Sequence, residues 1–185
     1  MKKLLLIAAV AVFGFTNVNA QEDSSASSEI NFGAKAGYNS FIARASAEGS
    51  SASVSESGFY LGFFADFEIS EKFNVQPELQ YVIVTGDGDN GNLLVLPILA
   101  KFKASEEFAI YAGPQFDYIL DEETEGLKEF GFGLAAGISY DVTDNFFLDT
   151  RYSFGLSNRL EDDNIDGVDV KVKFNFFQVG LGYRF

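Results

Sequence analysis

From Ile30 onward the chain alternates between oily and small or polar residues. Ile30, Phe32, Ala34, Ala36 and Tyr38 are interleaved with Asn31, Gly33, Lys35, Gly37 and Asn39, and a period of two places the two sets on opposite faces of a β-strand. The pattern returns over residues 59–69, 73–84, 93–103, 108–118, 130–140, 146–156 and 177–185, which predicts eight strands. Each is close to the roughly ten residues that cross hydrocarbon on a tilt. The connections between them alternate in length. Long polar stretches follow the first, third, fifth and seventh strands (43–57, 85–92, 121–126 and 157–169), whereas the second, fourth and sixth end in the short turns Ser70-Glu71, 104–106 and 142–144. Pro77 and Pro97 each lack a ladder donor, so a bend or bulge is expected at both.

The face opposite the oily one decides which way the sheet is turned. It carries charges of both signs, Lys35, Asp66, Glu68, Glu78, Lys101, Asp117, Asp149, Arg151 and Arg184. A soluble sandwich buries its apolar face and keeps charge outside, and it does not leave an outer face so uniformly Phe, Leu, Ile and Tyr. The apolar set therefore faces out, toward lipid. The fold class that follows is all-β: an eight-stranded antiparallel up-and-down transmembrane β-barrel, with short turns and chain ends on the periplasmic side. Eight strands leave a lumen just wide enough to be filled by side chains. Arg151 is expected to meet Glu78 across it, with Lys101 and Arg184 lower down meeting Asp66, Glu68 or Asp149, and Lys35 in the same network. The small inner residues Gly131, Gly133, Ala135 and Gly137 give these long side chains space, or alternatively leave a water-filled pocket.

Composition narrows the chemistry. Met1, Lys2 and Lys3 lead into an apolar run from Leu4 to Phe15, and Val18-Asn19-Ala20 precedes Gln21, the order of a secretory signal peptide cleaved between Ala20 and Gln21. Residues 1–20 are then the signal, 21–29 a Ser-rich flexible leader, and 30–185 the barrel domain. Without Lys2 and Lys3 the 13 basic residues become 11 against 27 acidic ones, a formal charge of −16. Such acidity argues against nucleic acid as a partner. The chain holds no Cys and no His, so disulfides, thiolate chemistry, the usual triad base and the commonest metal ligand are all missing. Asp87-Gly88-Asp89-Asn90-Gly91 looks like part of a calcium loop but lacks the closing bidentate acid, and a solvated turn is the plainer reading. The clusters Asp121, Glu122, Glu123, Glu125 and Glu161, Asp162, Asp163, Asp166, Asp169 read as a solvated rim. Their functional alternative is a cation-bridged contact with anionic surface lipid, or docking of a basic extracellular partner.

The last strand, Phe177 to Phe185, stays apolar on alternate residues through Tyr183 to the final Phe185. It resembles the terminal strand by which outer-membrane barrels are recognised by the barrel-assembly machinery. With the first-strand run Asn31-Phe32-Gly33-Ala34-Lys35-Ala36-Gly37-Tyr38-Asn39, the chain resembles the small eight-stranded barrels of the OmpX and OmpA transmembrane-domain type, and the porin-like outer-membrane β-barrel family common in Bacteroidetes. That resemblance implies the bacterial outer membrane, contact with its lipids, assembly through Tyr183 and Phe185, and a monomer without cofactor. It points to a non-catalytic structural or surface-interaction role. A narrow porin-like channel for ions or small solutes is the alternative, and a lipid-modifying enzyme the third reading, weakened because such sites use a His. A closed barrel folded into detergent is expected to migrate faster on a gel unheated than boiled; equal migration, with a protein soluble without detergent, would restore the soluble sandwich.

Overall fold

A computed structural model describes residues 30–47, 50–86, 91–121, 126–161, 164–165 and 168–185. The expected cleavage site at Ala20 and Gln21, the leader 21–29, the calcium-like residues 87–90 and the acidic residues Glu122, Glu123, Glu125, Asp162, Asp163 and Asp166 lie outside them. Among the described residues the strands are β1 (Ile30–Ala47), β2 (Ser50–Ser70), β3 (Phe73–Thr85), β4 (Gly91–Lys103), β5 (Phe108–Ile119), β6 (Phe130–Asp141), β7 (Phe146–Gly155), the two-residue β8 (Asn164–Ile165) and β9 (Val168–Arg184). Each of β1 to β6 pairs antiparallel with the next, β7 pairs with β9, and β9 returns to β1 from Gly33↔Arg184 to Ala47↔Val170. The sheet is thus a closed eight-stranded antiparallel barrel, to which β8 adds only a small hairpin against the start of β9. Closure extends to the last residue, where the Phe185 N–H donates to the Phe32 carbonyl at 2.9 Å.

The faces are inverted relative to a soluble protein. Phe59 and Phe63 are 66% and 60% exposed, whereas Arg151 is 1% exposed and Gln80, Glu78 and Lys35 are similarly buried. Hydrocarbon outside and a polar interior produce this distribution; water outside would reverse it.

Three features differ from the sequence reading. The stretch 43–57 is not a loop, because β1 and β2 continue as a hairpin to Ala47↔Ser50 with β9 alongside. As β3 reaches only to Ser57↔Thr85, residues 40–47, 50–57 and 170–177 rise beyond their neighbours as a three-stranded ribbon. Its Ser and Ala residues give no hydrophobic alternation to read, yet its hydroxyls pair across strands, Tyr38 with Ser57 at 2.9 Å and Ser40 with Ser55 at 3.0 Å. Second, neither Pro77 nor Pro97 sits at a bulge. The β3–β4 ladder omits pairs between Pro77↔Ile98 and Gln80↔Val95 but resumes in the same register, and a register shift lies instead between Glu68 and Ser70 on β2. A one-residue slip there would turn every later side chain to the wrong face, so a missing donor is tolerated and a slip is not. Third, the oily face of β9 changes sides. Below Phe177 it points to lipid, but Val172, Phe174 and Phe176 pack inside the barrel.

Leu134 and Leu148 face outward, about half exposed. Leu134→Arg or Leu148→Arg is expected to cost about 2–4 kcal/mol of folding free energy in bilayers, whereas Ser53→Arg on the ribbon should fall within about 0.5 kcal/mol of the parent, as read by urea unfolding in vesicles. An equal effect at all three positions would mean the faces are reversed.

Candidate functional site

Inward positions of neighbouring strands come within side-chain reach of one another across so narrow a lumen, and the polar ones assemble in three tiers. In the middle tier Glu78 of β3 accepts a two-pronged contact from Arg151 of β7, Nη2 to Oε1 at 2.8 Å and Nη1 to Oε2 at 3.0 Å. Lys35 of β1 donates to Glu78 Oε1 at 2.9 Å and to Asp149 Oδ2 at 3.2 Å. Tyr111 donates to the same Asp149 oxygen at 2.7 Å, and Gln76 and Gln80 each donate to Glu78 at 2.6 Å. Both oxygens of Glu78 are thereby saturated, as a buried carboxylate requires.

The lower tier surrounds a cavity of about 390 Å³ at the periplasmic mouth, lined among others by Asp66, Glu68, Lys101, Lys103, Asp141 and Arg184. Lys101 lies 3.6 Å from Asp66, Lys103 3.2 Å from Glu68 and Arg184 2.7 Å from Asp141. Between this tier and the middle one sits Phe147, wholly buried. Its ring lies 4.6 Å from the Arg184 guanidinium and 5.4 and 5.5 Å from the ammonium groups of Lys35 and Lys101, and meets Phe64 edge-on at 5.6 Å. An aromatic face attracts cations, so Phe147 ties the two tiers together while filling the bore.

The upper tier is mostly apolar. Tyr60, Val82, Val84, Leu93, Val95, Ile119, Phe174 and Phe176 form one buried cluster, with Phe41 and Val172 against it. Among the described residues its single ion pair joins Asp117 to Arg159 at 2.7 Å. Arg159 comes from the connection after β7, donates also to the Glu129 carbonyl at 3.1 Å and stacks on Phe174 at 4.5 Å. Burial draws the Arg159 pKa down from its ordinary value while Asp117 acts in the opposite sense, and a guanidinium stays charged through such a shift. In the middle tier two cations, Lys35 and Arg151, face two acids, Glu78 and Asp149, whereas Glu106 and Glu107 add to the acids around the lower cavity.

Space for these side chains comes from glycines on facing strands. A Cβ at Gly33 would strike the Phe64 ring, at Gly182 the Phe147 ring, at Gly137 the Tyr111 hydroxyl and at Gly131 the Arg159 guanidinium. Large residues on one strand thus fill what glycine leaves on another.

The structure brings together most of the residues expected in the lumen. Arg151 reaches Glu78 and Lys101 approaches Asp66. Arg184, however, pairs with Asp141 rather than with Asp66, Glu68 or Asp149, since at the end of β9 it lies beside the turn after β6, where it also donates to the Asp144 carbonyl. Glu68 goes to Lys103, and Asp149 to Lys35 and Tyr111. Arg159 belongs to no alternating segment, and its one signal in the sequence is that it is the lone cation of the otherwise acidic stretch 157–169. Tyr183 and Phe185 face outward, with Tyr183 against Phe146 at 4.8 Å and Phe185 at 5.9 Å. Among the described residues no three His, Cys, Asp or Glu side chains converge to hold a metal.

The model of the outer membrane protein beta-barrel domain matches residues 8–185 of this chain. An uncharacterised protein of Haemophilus influenzae is 38% identical over 72 residues, covering 37% of this chain and 93% of that one. Among solved structures, Neisserial surface protein A superposes with a TM-score of 0.50 at 19% identity, covering 83% of this chain and 97% of its own. The attachment invasion locus protein Ail of Yersinia pestis gives 0.48 at 20% identity over 85% and 99%. At these identities the likeness to Neisserial surface protein A is one of fold.

Glu78→Gln and Arg151→Gln are each expected to cost about 3–5 kcal/mol, because each strands buried charge, while the double substitution should cost far less than the sum. Urea unfolding in lipid vesicles measures all three, and simple additivity would show that the two side chains do not act as a pair.

Proposed function

Since the chain belongs to the outer membrane protein beta-barrel family and resides in the bacterial outer membrane, we propose that it works there without catalysis, as a structural or surface-interaction protein with a sealed lumen. The observation that carries this reading is the continuous filling of the bore: the Glu78 tier rests on Phe147 below and meets the apolar cluster around Val82 and Phe176 above. Permeant ions need a wetted path. Here a saturated carboxylate network is followed by buried hydrocarbon, which supports a lumen without such a path.

On the same reading the strand ending in Tyr183 and Phe185 is the segment the barrel-assembly machinery takes up, export ends with cleavage between Ala20 and Gln21, and the barrel stands in lipid as a monomer. A catalytic role has less support, because each acid of the middle tier is committed to a cation or a hydroxyl and no histidine exists to serve as base. The periplasmic cavity favours the second reading, a narrow channel for ions or small solutes, since it leaves open space at one end of the barrel below Phe147.

Planar bilayers decide between the two. The folded protein should give no discrete conductance steps in concentrated potassium chloride, and Phe147→Ala, which extends the lower cavity but leaves the upper cluster in place, should give none either. Regular single-channel openings by the parent protein would establish the channel instead.

A further inference from the structure

Beyond the lipid-facing belt, the ribbon formed by β1, β2 and β9 carries cations on its outer face. Phe41, Ala43, Val172 and Phe174 turn inward to the upper cluster, so by alternation Arg44, Lys171 and Lys173 point away from the barrel axis. Arg44 is the direct register partner of Lys173, and Lys171 is that of Ser46. Like charges placed directly opposite on an antiparallel ladder repel. The chain has 27 acidic residues available against 13 basic ones, yet among the described residues neither Arg44 nor Lys173 has an ion-pair partner. Lys171 reaches Asp169 at 3.2 Å with both side chains more than half exposed, and Arg44 donates only to the Ser51 hydroxyl, at 3.3 Å.

Height supplies the missing anion. Lys173 lies four residues beyond Phe177, the last aromatic on the lipid face of β9. At about 3.3 Å per residue on strands tilted by about 40°, that is about 10 Å outside the belt, the level of the headgroups of the outer leaflet. We propose that Arg44 and Lys173, with Lys171 beside them, form a binding surface for the phosphate groups of outer-leaflet lipids. A guanidinium fork grips two phosphate oxygens while an ammonium adds a compact charge, and the hydroxyls of Ser46, Ser51 and Ser53 share this face as further donors. One anion between Arg44 and Lys173 turns their repulsion into a shared attraction. This surface requires the barrel to stand in the outer membrane but is indifferent to whether the lumen conducts.

The test compares lipid A with the same lipid stripped of its phosphates, each added to the protein folded in detergent, with bound lipid counted by native mass spectrometry. Half-occupancy with lipid A is expected at a concentration about tenfold or more below that for the dephosphorylated lipid. Arg44→Ser combined with Lys173→Ser should abolish the difference. Arg44→Lys should retain most of it, and Lys128→Ser, which removes another exposed cation from a long loop, should retain all of it. Faster gel migration of unheated samples verifies that each variant is folded. Equal binding of the two lipids by the parent protein, or an undiminished preference in the double variant, would overturn the proposal. Displacement of lipid A by millimolar inorganic phosphate would overturn it too, revealing a site for free anions.

Discussion

Hydrocarbon offers no hydrogen bonds, so every peptide group of a strand crossing it must find its partner in another strand. An open sheet leaves two unsatisfied edges. In this chain the edges are joined by the pairing of β1 with β9, unbroken in register from Gly33↔Arg184 to Ala47↔Val170, and much else follows from that closure. Eight strands close on a bore only as wide as the side chains that fill it. The outer surface must then be apolar and the inner one densely packed, which is why Arg151 is almost wholly buried while Phe59 and Phe63 stand exposed.

Charge in such an interior is not an obvious choice, since well-packed hydrocarbon can be equally stable in place of a buried ion pair. Its contribution here is to registration. A strand that slips by one residue exchanges its two faces, and if both faces were oily the slipped barrel would sit in lipid as comfortably as the native one. With Lys35, Glu78, Asp149 and Arg151 inside, a slip would drive ions into the bilayer at several kcal/mol in total. The native arrangement also satisfies them locally, with Glu78 receiving Arg151, Lys35, Gln76 and Gln80. The network specifies which closed sheet forms, whatever it adds to the stability of that sheet.

The same logic explains what could be read from the sequence. Strand count, the outward face and the meeting of Glu78 with Arg151 all follow from a period of two combined with a lumen too narrow to keep opposite charges apart. Arg184 could not be placed in the same way. Its partner depends on which turn lies beside the end of β9, and that is a matter of stagger around the barrel rather than of alternation along a strand. Arg159 was less legible still, as it enters the lumen from an irregular connection and occupies the room left by Gly131. The ribbon over 43–57 is not legible in the sequence because Ser and Ala on both faces produce no contrast, although the backbone there pairs as regularly as anywhere in the sheet.

At the consecutive pair Phe176-Phe177 the oily residues of β9 pass from one face of the strand to the other. Backbone parity does not change there, since the pairings of β9 with β1 and with β7 keep one register on both sides of it. What changes is which parity is oily. Below the pair, Phe177, Val179, Leu181 and Tyr183 face out and Gln178 faces in; above it, Val172, Phe174 and Phe176 face in and Lys171 and Lys173 face out. A strand that left lipid for water without this exchange would carry its oily side into solvent. The inversion therefore marks the membrane surface on the strand, and it has two consequences at one level. Inside, the redirected aromatic residues close the top of the bore against Phe41. Outside, the polar positions they vacate are filled by cations at the height of the lipid headgroups. The seal above the network and the basic surface beside it are thus two faces of one sequence inversion.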